Sequence, residues 1–127
     1  MPRSALVVVL ATIILAYLPF LYTGFAATDS LTLIETSRFN NATEAVLLFT
    51  RPVMAGTSFA FGEVVYRPFV SLTFGLDYAI WGLNAFGYHF TNLLFHVATT
   101  VCVWPLARQL GLAWWSSLAG ATVFALH

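Results

Sequence analysis

The sequence has no lysine, a single cysteine and very few charges of either sign. Charged residues make up 8% of its 127 positions, whereas an ordinary soluble domain carries about 25%. Five Arg balance five acidic residues, so the chain lacks the basic field that nucleic acid requires, and we expect no nucleic-acid partner. Cys102 has no second cysteine to pair with, and its apolar neighbours predict a small buried hydrophobe rather than a reactive thiol.

Several sequence motifs that accompany catalysis or metal binding are also missing from the sequence. It contains no internal repeat, no low-complexity tract, no glycine loop that would cradle a phosphate, and no Cys/His cluster with zinc spacing. These absences remove several enzyme classes from this stretch of chain. They leave the cofactor unknown, since a divalent metal remains compatible with the sequence although no metal-ligand motif is present.

Apolar residues dominate what is present, at 60% of the chain with a mean hydropathy of +0.85. Residues 5–27 are almost wholly apolar, and roughly 20 such residues span a hydrocarbon core when helical. A cleavable signal peptide is the alternative, because Arg3 precedes the run. Signal-peptide apolar regions are about 7–15 residues long, so the greater length favours a membrane anchor.

The remaining pattern predicts an all-α fold of polytopic transmembrane helices with a long external first loop. That loop covers residues 28–67, the most polar stretch, and contains a short helix over 42–50. An interfacial helix follows at 68–82, because proline suits a first helical turn and the segment is aromatic but short for a span. A second span is predicted at 88–108 and the start of a third at 112–127.

Residues 41–43 of the loop carry two possible signals, a helix N-cap and a glycosylation site. Asn41 and Thr43 are the two candidate N-caps of the short helix. The triplet Asn41-Ala42-Thr43 is also a glycosylation sequon, which has meaning only in a eukaryotic secretory lumen.

If the loop faces outward, Arg3 and Arg108 both lie on the cytoplasmic side. The apolar pattern continues up to His127, which predicts that the sequence is the N-terminal fragment of a longer protein.

Three polar residues in and around the loop are candidates for chemistry. Asp29 follows the first apolar run, where a carboxylate can accept a proton from a hydroxyl, although a helix cap or solvated flank also fits the position. Arg67 precedes Pro68, so a guanidinium and a helix N-terminus together could hold a phosphate; a surface arginine reaching lipid headgroups is the alternative. Asp77 lies among aromatic residues, and we expect it to pair with an Arg or to lie at the water boundary.

The second predicted span carries a polar stripe. His89, Asn92 and His96 follow one another at spacings of three and four residues, which places them on one helix face. The two histidines are roughly 10 Å apart along the axis at 1.5 Å per residue, too far to share one metal. The stripe predicts hydrogen bonds between helices, and His89, nearest the outer boundary, is the member expected to reach a site there.

The segment 66–96 resembles a known signature. The matching residues are Tyr66-Arg67-Pro68, Leu76-Asp77-Tyr78, Trp81-Gly82, Asn84, Phe86-Gly87-Tyr88-His89, Thr91-Asn92-Leu93-Leu94 and His96. They resemble the signature of GT-C-type membrane glycosyltransferases, in the protein O-mannosyltransferase-like branch whose members often carry tetratricopeptide repeats downstream. The likeness extends over roughly 25–127.

The resemblance implies roles for three residues. The first external loop of that family carries an acidic motif, commonly a pair of Asp. Asp29 corresponds to the second acid, and Thr28 stands in place of the first. This implies Asp29 as the general base or acceptor-orienting residue, and Arg67 and His89 as donor-phosphate contacts or residues that structure the site.

The implied reaction is inverting transfer of a hexose, with mannose as the first candidate, from a polyprenyl-phosphate donor to a hydroxyl of a protein or glycan. The arginine-only basic set favours a prokaryotic cytoplasmic membrane, with residues 28–67 outside. The fragment alone is expected to be inactive. Two rivals are a non-catalytic polytopic protein, such as a transporter segment or assembly subunit, and a secreted lipid-binding fragment.

Overall fold

The structure is a computed structural model that describes residues 3–25, 28–53 and 66–127, apart from the side chains of residues 3 and 28–30. Regular structure in these ranges is helical and contains no strand, which confirms the all-α class. Short 3-10 turns follow the first and third α-helices, at Leu18–Tyr22 and Leu48–Thr50. The α-helices are α1 (Arg3–Tyr17), α2 (Thr28–Ser37), α3 (Ala42–Leu47), α4 (Pro68–Trp81), α5 (Ala85–Gln109) and α6 (Trp114–Leu126).

Two helical segments are long and apolar enough to cross a membrane. Ser4–Tyr22 has 19 residues and a hydropathy of 2.5, and α5 has 25 residues and a hydropathy of 1.4. Only 22% and 6% of the residues in their apolar windows are buried, whereas the core helix of a soluble protein is mostly buried. The two segments occupy the positions predicted for spans, and their placement in a bilayer stays a prediction.

The described residues form two compact units, the first made of residues 1–22 and 89–127 and the second of residues 23–88. In the first unit, α1 packs against α6. Val9 and Ile13 of α1 are buried there, as are Ser117, Ala121 and Ala125, which recur every fourth residue along α6. Small residues at this spacing let two helix backbones approach closely, which is how helices associate in an apolar solvent.

In the second unit, α2 packs against α4. Ile34 and Ser37 of α2 are buried, and so is Ser71 of α4. Gly75 makes the close approach possible, because a Cβ atom there would lie 2.5 Å from the Ser37 carbonyl oxygen and 2.5 Å from the Phe39 ring. The missing side chain at this one position therefore sets how close the two helices come.

Local hydrogen bonds define the ends of α3 and α4. Asn41 is the N-cap of α3, and its Oδ1 accepts the Glu44 backbone N–H at 2.9 Å. Pro68 opens α4, and Gly82 ends it at φ 60°, donating its N–H to the Tyr78 carbonyl at 2.9 Å. Positive φ at Gly82 costs little because glycine has no Cβ.

The structure differs from the sequence-based expectations in three places. Residues 28–37, expected to be part of a loop, form the helix α2. Helix α5 begins at Ala85, three residues earlier than the predicted span. Cys102, expected to be buried, is exposed on α5. The expectation rested on the apolar neighbours of Cys102, and hydropathy alone does not tell which side of a helix contacts other helices.

Candidate functional site

Asp29 is the second residue of α2, so its backbone belongs to the first helical turn. Its side chain lies outside the part of the chain that the structure describes. Thr28, at the position where the resemblance implies an acid, begins the same helix. The backbone at residue 29 is therefore helical and not part of a loop.

Arg67 occupies the N-cap position of α4. Its carbonyl oxygen accepts the backbone N–H groups of Val70 at 3.1 Å and Ser71 at 3.2 Å. The Arg67 side chain is exposed and makes no capping hydrogen bond, so the main chain alone begins the helix. A guanidinium beside the first turn of a helix is an arrangement that favours anions, including phosphate.

A charged and aromatic cluster lies in the second unit. The guanidinium carbon of Arg38 is 4.1 Å from the centre of the Tyr78 ring, a cation–π contact that joins the end of α2 to α4. Asp77 is buried beside Tyr78 and not at the water boundary, which leaves pairing with an arginine as the remaining expectation for it. Tyr88 of the same unit is also buried, and its hydroxyl donates to the Gly82 carbonyl at 2.8 Å.

The polar stripe of α5 lines a cavity of about 210 Å³ in the first unit. One wall comes from α5 and the other from the end of α1 and its 3-10 turn. The lining residues are Tyr17, Phe20, Leu21, His89, Asn92, Leu93 and His96. The structure therefore brings the three predicted polar residues of α5 to one cavity with an otherwise aromatic and aliphatic lining.

His96 is fixed from three sides. Its ring lies 5.1 Å from the Tyr17 ring and 5.5 Å from the Phe124 ring, and its Nε2 is 3.1 Å from the Ala125 carbonyl oxygen. A carbonyl can only accept a hydrogen bond, so Nε2 carries the proton, and Nδ1 of a neutral ring is left as an acceptor. The His96 carbonyl in turn accepts the Thr100 hydroxyl at 2.8 Å. His96 thus joins α5 to α6.

The predicted residues are divided between the two units. Asp29 and Arg67 belong to the second unit, whereas His89, Asn92 and His96 belong to the first. Among the side chains that the structure describes, no three His, Cys, Asp or Glu residues come close enough to hold a metal ion. The arrangement offers an anion-favouring helix start in one unit and an apolar cavity with histidine and amide groups in the other.

Comparison with known proteins reveals relatives that share one description. The chain is 41% identical over 63 residues to "Protein O-mannosyl-transferase TMTC2" of Homo sapiens and of Mus musculus, covering 49% of this chain and 7% of each relative. It is 26% identical over 106 residues to "Protein O-mannosyl-transferase F38B6.6" of Caenorhabditis elegans, covering 83% of this chain and 15% of the relative. "Protein O-mannosyl-transferase TMTC3" of Mus musculus is 28% identical over 121 residues, covering 94% of this chain and 13% of the relative.

The chain therefore spans only between 7% and 15% of the length of these relatives. No family model matches it, and no solved structure matches it. These relatives are all named protein O-mannosyl-transferases, and that name matches the family that segment 66–96 resembles.

The sequence analysis missed the wall of the cavity that α1 provides. Tyr17, Phe20 and Leu21 lie at the end of the first apolar run, where nothing distinguishes them from ordinary span residues. The available signal was the cluster of aromatic residues there, since aromatic side chains gather near the ends of membrane spans. That signal indicates a membrane boundary and does not identify the helix that lies opposite.

Proposed function

We propose that this chain is part of a polytopic GT-C-type membrane glycosyltransferase. In this proposal the whole enzyme moves a hexose, with mannose as the first candidate, from a polyprenyl-phosphate donor to a hydroxyl of a protein or glycan. The observation that carries the proposal is the similarity, reaching 94% of the chain, to proteins named protein O-mannosyl-transferases. The two helices with the length and composition of spans support a membrane location.

A lipid-linked donor suits this architecture. Its polyprenyl tail remains in hydrocarbon, its phosphate lies at the interface, and polar groups of the 28–67 segment act on the sugar and the acceptor. We assign this segment to the outer face of the membrane. Most of the described charged residues lie between the two candidate spans, whereas the only charged residue within the spans is Arg108, near the end of α5.

Asp29 is our candidate for the general base or for the group that orients the acceptor hydroxyl. An attacking hydroxyl must lose its proton during transfer, and a positioned carboxylate can take it, a contribution of roughly 10²–10⁴ in rate. Arg67 is our candidate for the donor phosphate, because its exposed guanidinium stands at the start of α4. His89, in the cavity wall, is assigned to the donor phosphate or to structuring the site.

The test uses membrane vesicles that contain the full-length protein and a labelled polyprenyl-phosphate mannose. Transfer by the wild type is compared with transfer by Asp29→Asn, which keeps the size of the side chain and removes its basicity. Glu35→Gln is the matched control, since Glu35 is an exposed acid on the same helix. We expect Asp29→Asn to lose most of the activity and Glu35→Gln to keep it.

The outcomes separate the proposal from its rival. Equal transfer by the wild type and Asp29→Asn would remove Asp29 from the mechanism and leave the transferase assignment intact. An absence of transfer by the wild type with mannosyl and other hexosyl donors would favour a non-catalytic polytopic protein. Thr28 in place of an acid is the feature of this sequence that makes that rival worth testing.

A further inference from the structure

The cavity of the first unit has hydrogen-bonding side chains near one end and a largely apolar interior. His89 and Asn92 line it close to the start of α5. His96 lies roughly 10 Å further along the axis than His89, at 1.5 Å per residue. The Nε2 proton of His96 is already taken by the Ala125 carbonyl oxygen at 3.1 Å, so at this deeper end the residue adds an aromatic ring rather than a vacant N–H group. A ligand with one polar group and an apolar body fits this arrangement.

The volume of the cavity limits the apolar body to a short segment. The cavity measures about 210 Å³. An apolar cavity of about 150 Å³ is enough to hold benzene, and an isoprene unit has fewer carbon atoms than benzene. The cavity therefore has room for about one or two isoprene units. The rest of any long lipid chain must lie outside it.

The cavity lies at matching ends of the two candidate spans. The first candidate span ends at Tyr22, and Phe20 and Leu21 of the cavity wall lie next to that end. The second begins at Ala85, and His89 lies about one helical turn from that start. If both segments cross the bilayer, the chain leaves it after the first and returns with the second, so these two ends are on the same side. The cavity is then just below the headgroups, where the carbons next to a lipid-linked phosphate lie.

We propose that this cavity holds the isoprene units next to the phosphate of the polyprenyl donor, with His89 and Asn92 at the phosphate end. Imidazole and amide N–H groups donate hydrogen bonds, and phosphate oxygens accept them. In a polyprenyl phosphate the phosphate is joined directly to the first isoprene unit, which matches a site whose polar and apolar walls adjoin. This inference rests on the proposed function, and it adds the residues that select the lipid carrier, which are Phe20, Leu21 and Leu93.

Shape, and not hydrophobicity, is the basis of this selection. An isoprene unit gains little by moving from acyl chains into an apolar cavity, because lipid tails are as apolar as leucine. The cavity adds close packing, which depends on the fit between the two surfaces. Methyl-branched isoprene units and a linear saturated chain differ in cross-section, so a cavity that fits one packs poorly around the other. A phospholipid also has glycerol ester groups between its phosphate and its acyl chains, and these polar groups would lie against the apolar wall.

The test is photo-crosslinking of the full-length protein in phosphatidylcholine nanodiscs. The probe is geranylgeranyl phosphate with a diazirine on its first isoprene unit, and mass spectrometry locates the cross-link. Leu93→Trp fills the cavity, and Leu94→Trp is the matched control, because Leu94 is the next residue of α5 and is exposed outside the cavity lining. Phe20→Ala opens the cavity instead, and Phe20 is an exposed residue outside the buried core of the unit. Circular dichroism checks that each variant keeps its helix content.

We expect the cross-link in the wild type to lie within residues 17–21 or 89–96. Labelling should fall several-fold in Leu93→Trp and in Phe20→Ala, and stay unchanged in Leu94→Trp. Unlabelled geranylgeranyl phosphate should displace the probe at a several-fold lower concentration than hexadecyl phosphate, which has the same headgroup on a linear saturated chain. In the mannose-transfer assay, Leu93→Trp should raise the KM for the donor several-fold with kcat nearly unchanged, because contacts to the carrier are the same before and during transfer.

Equal labelling of Leu93→Trp and Leu94→Trp, or equal displacement by the two phosphates, would overturn the inference. A diazirine-labelled phosphatidylcholine that marks the same residues and resists displacement by geranylgeranyl phosphate would overturn it too, because bilayer lipid would then fill the cavity. Transfer by the wild type without a cross-link at the cavity would remove this inference alone, since another part of the enzyme would hold the donor chain. Specific labelling of the cavity without transfer of any hexose would contradict the transferase proposal and leave the cavity as an isoprenyl-phosphate site.

Discussion

At the scale of single residues, the second unit depends on one position that has no side chain. Gly75 lets α4 approach α2 until its own Cα faces the Ser37 carbonyl and the Phe39 ring. Ser37 is itself almost fully buried, and its hydroxyl has no hydrogen-bond partner within the described residues. A contact this tight has little room to adjust, because protein interiors are close-packed.

The substitution Gly75→Ala should therefore destabilise the chain despite the better helix propensity of alanine. Overpacking costs about 1–3 kcal/mol, and a Cβ only 2.5 Å from a backbone oxygen belongs in the upper part of that range, above the roughly 1 kcal/mol that alanine contributes in a helix. Gly120→Ala in α6 is the matched control, since a Cβ there meets nothing within 4 Å and should leave the stability equal or higher. Denaturant unfolding of the detergent-solubilised chain, followed by circular dichroism, measures both. A Gly75→Ala variant as stable as Gly120→Ala would show that α2 and α4 do not pack as described.

A second residue-scale prediction concerns His96. The change His96→Phe keeps a ring between Tyr17 and Phe124 and removes the hydrogen bond to the Ala125 carbonyl. Hydrogen bonds between membrane helices contribute about 0.5–2 kcal/mol, so we expect a loss of that size in the free energy of unfolding. Thr99→Val is the control, because the Thr99 hydroxyl donates to the Phe95 carbonyl of its own helix at 2.8 Å. Equal stability of the two variants in the same unfolding measurement would argue against a link between α5 and α6 at His96.

At the scale of helices, the structure decides between Asn41 and Thr43, the two candidate N-caps of α3. Asn41 holds the Glu44 N–H, whereas Thr43 lies inside the helix and is exposed. Replacement of an N-cap asparagine by alanine costs about 1 kcal/mol. We expect Asn41→Ala to speed amide hydrogen exchange at Glu44 and Ala45, and Thr43→Ala to change it little. Both variants also remove the sequon, so a difference between them reflects the cap and not glycosylation.

Helix boundaries with local signals could be predicted, and those that depend on packing could not. Pro68 and Gly82 bracket α4 in the sequence as they do in the structure. Helix α2 was missed because serine and threonine compete for backbone hydrogen bonds and weaken helix propensity. Its helical state relies on the packing of α2 against α4 and on the burial of Ile34, which no local pattern reveals.

The candidate site shows the same division between local and tertiary information. The spacing of His89, Asn92 and His96 was enough to place them on one face of α5. The opposite wall at Tyr17 comes from a helix far away in sequence, and periodicity says nothing about which helix packs where. The assignment of Asp29 rests on resemblance and stays a prediction.

At the scale of the whole molecule, much of the apolar surface of α5 is exposed, and this affects what the chain can do alone. Only 6% of the residues in the apolar window of α5 are buried, and large side chains such as Leu94, Phe95 and Leu106 are exposed. Glycosyl transfer from an activated donor requires that water be kept from the reacting centre. The relatives are many times longer than this chain, so they have further segments available to cover these exposed faces.

We therefore predict that the 127-residue chain, expressed alone, inserts into membranes and shows no transferase activity. Carbonate washing of the membranes tests insertion, because peripheral proteins are released and spanning helices are retained; we expect the chain in the pellet. The labelled polyprenyl-phosphate mannose assay tests turnover, with membranes containing the full-length protein as the positive control. Turnover by the chain alone would mean that α1 to α6 already enclose a working site, and that the cavity and the 28–67 segment suffice for catalysis. Recovery of the folded chain in the carbonate supernatant would instead contradict the membrane location, because a helix with so little buried surface would then have to be stable in water.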